Sequence, residues 1–285
     1  MISYIAYRIG EALSLALPLK TAYKVAVFLA DLRYLFAFKD RKIVRENLRA
    51  IFPDKTDKEI SAIRLRVFHN FAKYLVDFFR FKKLDAAYIR ENVKVENMEY
   101  IDEGFKQGKG VILVTAHLGN WELGGVTLSM AGYAISTVAL PHGSKRVTDF
   151  FNKQRENKGL KVFLLGNAVK WCIKALRNNK IVALVGDRDF TEGGRLMEFF
   201  GKPTLFPDGP AVLSLHTGAV IILGFMLRNE DDTFTMTLEK PLRYALSGDR
   251  NKDQDNIIFQ CKTIFEKYIR DYPDQWYMFR RFWKE

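Results

Sequence analysis

Apolar and polar positions alternate with two different periods along the chain, and the change falls near residue 95. Before it, apolar residues recur at spacings of three and four, the signature of helices with one buried face. Residues 2–38 read as one or two amphipathic helices interrupted by Arg8, Glu11, Lys20, Lys24, Asp31 and Arg33. The longest uncharged run before Lys39 is Ala12–Leu19, well short of the ~20 apolar residues that span a bilayer. Thr56-Asp57-Lys58-Glu59 predicts a capping box, with Thr56 as N-cap and Glu59 three positions on. The helix it opens carries Ile60, Ile63, Val67, Phe71, Leu75 and Phe78 on one stripe, with Lys58, Arg64, Lys73 and Arg80 off it.

After residue 108, short β-prone runs alternate with helical segments. Predicted strands cover Gly110–Thr115, Ile135–Leu140, Lys161–Leu165, Ile181–Gly186, Ala219–Leu227 and Thr233–Glu239. Predicted helices cover Val147–Asn157, Ala168–Asn178 and Asn256–Tyr272, and Gly193–Gly209 reads as a loop. Two uncharged stretches, Leu123–Ser144 and Gly209–Leu227, are broken by glycines and divide into buried helix–strand units. This order predicts an α/β fold with a central, largely parallel sheet flanked by helices. Residues 1–40 form a helical, membrane-associating N-terminal segment in this reading, and residues 41–285 a single α/β domain.

Charge sharpens the expectation for the first third. The chain has 285 residues and a net charge of +12. Residues 1–95 hold 19 Lys/Arg and 10 Asp/Glu, so 19 − 10 leaves +9 of that excess in a segment that is also rich in Leu, Ile, Phe and Tyr. Basic and apolar together suit an anionic membrane surface better than a nucleic-acid groove. Cys172 and Cys261 are far apart and outside any C-x-x-C pair, as expected of two buried thiols without a disulfide framework. Four scattered histidines offer no metal-ligand spacing, so neither a metal nor a cofactor is expected.

The chemistry concentrates at the end of the first predicted central strand, in Ala116-His117-Leu118-Gly119-Asn120-Trp121-Glu122. Ligands of open α/β sheets collect at the carboxyl ends of strands. An imidazole there, with a carboxylate five residues on in the first turn of the next helix, makes a general base and its orienting partner: His117 and Glu122. The spacing is a weak signal by itself. His69, His142 and His216 lack an acid at that distance. The chain shows no G-x-S-x-G, no P-loop and no G-x-G-x-x-G. A base without its own nucleophile suggests that a substrate hydroxyl attacks directly.

Five ordered blocks carry a family resemblance. They are Asn47-Leu48 with Phe52-Pro53, the His117…Glu122 block, and Gly186-Asp187-Arg188-Asp189. Phe199-Phe200-Gly201 with Pro207-Asp208-Gly209-Pro210 follows, and then Tyr272-Pro273-Asp274-Gln275-Trp276 with Arg280-Arg281-Phe282. Together they resemble the late acyltransferases of lipid A biosynthesis, the lauroyl and myristoyl transferases of the lysophospholipid acyltransferase superfamily. The resemblance implies transfer of a fatty acyl chain from an acyl-carrier-protein thioester to a hydroxyl of a lipid A precursor or related glycolipid. It places the protein at the cytoplasmic face of a bacterial inner membrane. It assigns His117 as base with Glu122, and Arg155 to an oxyanion or anionic group. Asn120, Asp187, Arg188, Asp189 and Gly209 become candidate substrate contacts. Two alternatives stand beside it: an acyl-CoA donor with another glycolipid or a lysophospholipid as acceptor, and a non-enzymatic basic membrane-binding protein.

Overall fold

Helices fill the first third of the computed structural model, which describes residues 2–164, 166, 168–190 and 193–283. Pro18 cannot continue a helix, and it divides the N-terminal segment into α1 (Ile2–Ala16) and α2 (Leu19–Phe36). Next come α3 (Phe38–Ile51) and α4 (Asp57–Phe79). The capping box forms: Glu59 N donates to Thr56 Oγ1 at 3.3 Å, and Thr56 N donates to Glu59 Oε2 at 2.8 Å. Ile60, Ile63, Val67 and Phe78 of the predicted stripe are buried. Then come α5 (Ala86–Asn92), β1 (Val93–Glu96) and α6 (Glu99–Lys106). The strand β1 was not expected in a region that reads as helical throughout.

The α/β part runs β2 (Val111–Thr115), α7 (Trp121–Met130), β3 (Ile135–Ala139), α8 (Lys145–Glu156), β4 (Lys161–Leu164) and α9 (Ala168–Arg177). It continues with β5 (Ile181–Val185), β6 (Arg195–Phe199), β7 (Lys202–Phe206), α10 (Gly209–Thr217), β8 (Val220–Arg228), β9 (Phe234–Leu238) and α11 (Arg250–Asp271). Leu165, the last residue of one predicted strand, lies outside the described residues. The central sheet has the order β1-β9-β8-β2-β5-β3-β4. Every neighbouring pair is parallel except the β8–β9 hairpin, so the predicted α/β class with a largely parallel sheet holds.

One face of the sheet packs against α9, α10 and α11 around Val114, Leu176, Ile221 and Phe265; the other packs against α4, α6, α7 and α8 around Phe78, Ile101, Val126 and Phe151. Two corrections concern boundaries. The predicted loop 193–209 contains the antiparallel β6–β7 hairpin, and the last helix begins at Arg250 rather than Asn256. Both thiols are free and buried, and burial pushes Cys172 up to about 11 and Cys261 to about 12. Among the described residues no helix is long and apolar enough to cross a membrane. Helices α1 and α2 do leave Ile5, Ile9, Leu13, Phe28, Leu29, Leu32, Leu35 and Phe36 exposed to solvent.

Candidate active site

Sheet register builds the centre of the site. β2 and β5 are parallel neighbours, with Thr115 opposite Val185. Two residues beyond that pair, where both strands have ended, stand His117 and Asp187. His117 Nδ1 lies 2.8 Å from Asp187 Oδ1, and His117 N donates to Asp187 Oδ2 at 3.1 Å. An ionised carboxylate only accepts, so the neutral imidazole carries its proton on Nδ1 and presents the Nε2 lone pair. Asp187 is fully buried, while the His117 side chain keeps 26% of its surface open. Burial alone raises a carboxyl, but the charge of His117 and hydrogen bonds from His117 and Trp276 outweigh it and hold Asp187 below its ordinary value. Trp276 Nε1 donates to Asp187 Oδ2 at 3.0 Å.

The partner of His117 is therefore Asp187, where the sequence pointed to Glu122. Glu122 does lie in the first turn of α7, but it faces Arg155 of α8. Arg155 Nε donates to Glu122 Oε2 at 2.9 Å and Nη2 to Oε1 at 2.5 Å, while Nη1 donates to Asn152 Oδ1 at 3.1 Å. Both side chains are buried, at 7% and 12% exposure. Burial lowers the Arg155 pKa, and Glu122 more than reverses this, leaving it raised. The guanidinium expected at an oxyanion is thus spent on an ion pair that ties α7 to α8.

The turn between β2 and α7 is tightly bound. Gly119 has φ +63°, and a Cβ there would stand 2.1 Å from Met226 O, so only glycine fits. Gly119 N donates to Gln275 O, and Tyr277 N donates to His117 O, both at 2.9 Å. Asn120 is the N-cap of α7: its Oδ1 accepts from Leu123 N at 3.1 Å, and its Nδ2 donates to Asp77 Oδ2 at 3.0 Å. With 1% exposure its side chain lies in the interior. Asp77 also accepts from Tyr23 Oη and Arg228 Nη2, so α2, α4, β8 and the His117 turn meet at one buried carboxylate.

The remaining expected residues sit differently. Arg188 lies 4.7 Å over the ring of Phe190, which meets the His117 ring edge-on at 6.2 Å. Burial and the like charge of Arg280 lower the Arg188 pKa. Asp189 Oδ2 accepts from Gly194 N at 3.1 Å and closes the loop before β6. Gly209 opens α10 and is not bonded to the His117–Asp187 pair. Gln275 and Trp276 were read only as part of a terminal block, and Tyr277 was not singled out. Gln275 and Tyr277 reach the His117 turn across more than 150 positions of sequence and Trp276 reaches Asp187 across 89, and spacing carries no such signal.

The chain is 28% identical over 284 residues to a phosphatidylinositol mannoside acyltransferase of Mycolicibacterium smegmatis, covering 98% of this chain and 90% of that one. It is 23% identical over 250 residues to a lipid A biosynthesis palmitoleoyltransferase of Escherichia coli, with coverage of 87% and 80%. A lipid A biosynthesis lauroyltransferase of the same species is also 23% identical, over 271 residues and 93% and 86% of the two chains. Residues 2–285 match the family described as bacterial lipid A biosynthesis acyltransferase, and the chain belongs to that family of glycolipid acyltransferases.

Proposed function

We propose that His117, oriented by Asp187, is the general base of an O-acylation that proceeds without a covalent acyl-enzyme. The carrying observation is the 2.8 Å bond between His117 Nδ1 and Asp187 Oδ1 at adjacent strand ends, which leaves Nε2 for the substrate. A hydroxyl of the acceptor gives its proton to Nε2 as its oxygen attacks the thioester carbonyl. The tetrahedral intermediate collapses, the C–S bond breaks, and the leaving thiolate recovers the proton from the imidazolium. Buried Asp187 stabilises the imidazolium between these steps. The α7 N-terminal turn, which begins four residues after His117, supplies its positive dipole end to the developing oxyanion. Glu122 and Arg155 brace α7 against α8 in this scheme, and Arg188 meets an anionic group of the acceptor.

The acceptor in this reading is a lipid A precursor or related glycolipid, and the donor an acyl-carrier-protein thioester. A groove of about 770 Å³ along α9, lined by Lys170, Lys174, Arg177 and His216 with no carboxylate, suits an acidic carrier protein. The exposed apolar rows of α1 and α2, with Lys20 and Lys24 on α2, favour seating at the anionic cytoplasmic face of the inner membrane. A second acceptor, a mannosylated phosphoinositide, is favoured by the 28% identity to the mannoside acyltransferase. Mass spectrometry of host lipids separates the two by which glycolipid gains an acyl chain. His117→Ala should abolish that gain, since general-base assistance is worth ~10²–10⁴-fold. A folded His117→Ala protein acting at the parental rate would refute the assignment.

A further inference from the structure

We infer that Trp276 is a positioning residue for the general base, its indole N–H locking the Asp187 carboxylate in the one orientation that serves His117. The inference rests on His117 being the base. A carboxylate can turn about its last bond and exchange its oxygens, so a buried Asp orients an imidazole only when its far oxygen is tied. In this site Oδ2 takes two donors, His117 N at 3.1 Å and Trp276 Nε1 at 3.0 Å, and Oδ1 is left for Nδ1. One of those donors is the backbone of the very residue being oriented. The indole is thus the independent restraint.

Its placement does not depend on side-chain packing alone. Leu118 and Trp276 form an antiparallel bridge. The residues on either side of Trp276 are bonded to those on either side of Leu118, through Gly119 N to Gln275 O and Tyr277 N to His117 O. Two short segments that carry the imidazole and the indole are therefore stitched together around the carboxylate. Phe282, with ring centroids 5.2 Å away at 63°, and Trp283, at 6.4 Å, fix the plane of the indole, which is 3% exposed. A Phe at this position would keep an aromatic ring in the core but leave a cavity and no donor. Only the N–H reaches Asp187, and a tryptophan nitrogen donates and never accepts.

The test is Trp276→Phe, and benzothienylalanine at 276 as a second variant that keeps the bicyclic shape and lacks the N–H. The kcat should fall about tenfold, with KM for donor and acceptor unchanged within about twofold. The acid limb of the pH–rate profile should move to higher pH, because a carboxylate relieved of one donor holds the imidazolium more strongly. Besides His117, Arg188 interacts with Asp187 and has Arg280 beside it, and neither changes in these variants. In an Asp187→Asn background, Trp276→Phe should add no further loss, since Trp276 acts through Asp187. A merely structural tryptophan would lower the Tm and leave kcat and the acid limb in place; that result from the folded analogue overturns the inference. His117→Ala run alongside separates the two claims. If it retains activity, the base assignment falls; if it is dead while both Trp276 variants match the parent, only the positioning role falls.

Discussion

Replacing Glu122 with Gln should damage stability far more than chemistry. The substitution leaves volume nearly unchanged but removes the charge that Arg155 faces across three hydrogen bonds. With Arg155 only 12% exposed, its guanidinium cannot turn fully to water, and breaking a buried pair from one side costs ~3–5 kcal/mol. Unfolding entropy of ~2.1 cal/mol/K per residue gives about 0.6 kcal/mol/K for 285 residues, so ~4 kcal/mol lowers the Tm by about 7 °C. Adding Arg155→Gln removes the stranded charge and should recover half or more of that loss, a coupling visible in a double-mutant cycle. Thermal melts by circular dichroism supply the four Tm values, and initial rates at a temperature well below all of them supply kcat. The expected kcat of the double variant lies within about threefold of the parent, because His117 and Asp187 are untouched. The opposite pattern would refute the reasoning: an unchanged Tm, a hundredfold lower kcat and a displaced acid limb for Glu122→Gln alone. Such a result would return Glu122 to His117 as its catalytic partner.

Two further outcomes are expected. Phe28→Glu with Leu32→Glu should release the protein from anionic vesicles without altering its circular dichroism, since both side chains are exposed on α2; equal co-sedimentation of variant and parent would place the anchor elsewhere. Asp187 has a lowered folded pKa, so its contribution to stability is complete above the unfolded value of ~3.9 and is lost as pH falls from there through the folded value. Asp187→Asn should accordingly flatten the fall of Tm below about pH 4, and an identical acid profile in the two proteins would contradict that linkage.

The parallel sheet was legible because β2, β5 and β8 are continuous apolar runs and the connecting segments have helical period. The β6–β7 hairpin was not. Its turn is Phe200-Gly201, both at positive φ, where Asn-Gly is the usual signal, and Pro203 sits inside β7. His117 was found from its place at a strand end. Its partner was missed because sequence offers near neighbours first: Glu122 is five residues away, Asp187 seventy. Only the pairing of β2 with β5, which is set by the whole sheet, ranks the second above the first. Asp187 was singled out as a substrate contact, so the residue was seen and its bond to His117 was not. Asn120 fared likewise: it was singled out as a substrate contact, and its side chain caps α7 and bonds Asp77.

The bonds that assemble this site are almost all remote in sequence. His117 and Asp187 are 70 positions apart, Asp187 and Trp276 89, and Asn47 reaches 231 positions to Met278 O. Closing such loops costs chain entropy before any contact repays it, and topologies of this kind fold slowly. Helices such as α4 can form from local signals while the imidazole still lacks its carboxylate. A partly folded chain therefore has secondary structure but lacks the His117–Asp187 bond. In the proposed mechanism activity therefore arrives last, with the finished tertiary structure, and an immature chain is chemically silent.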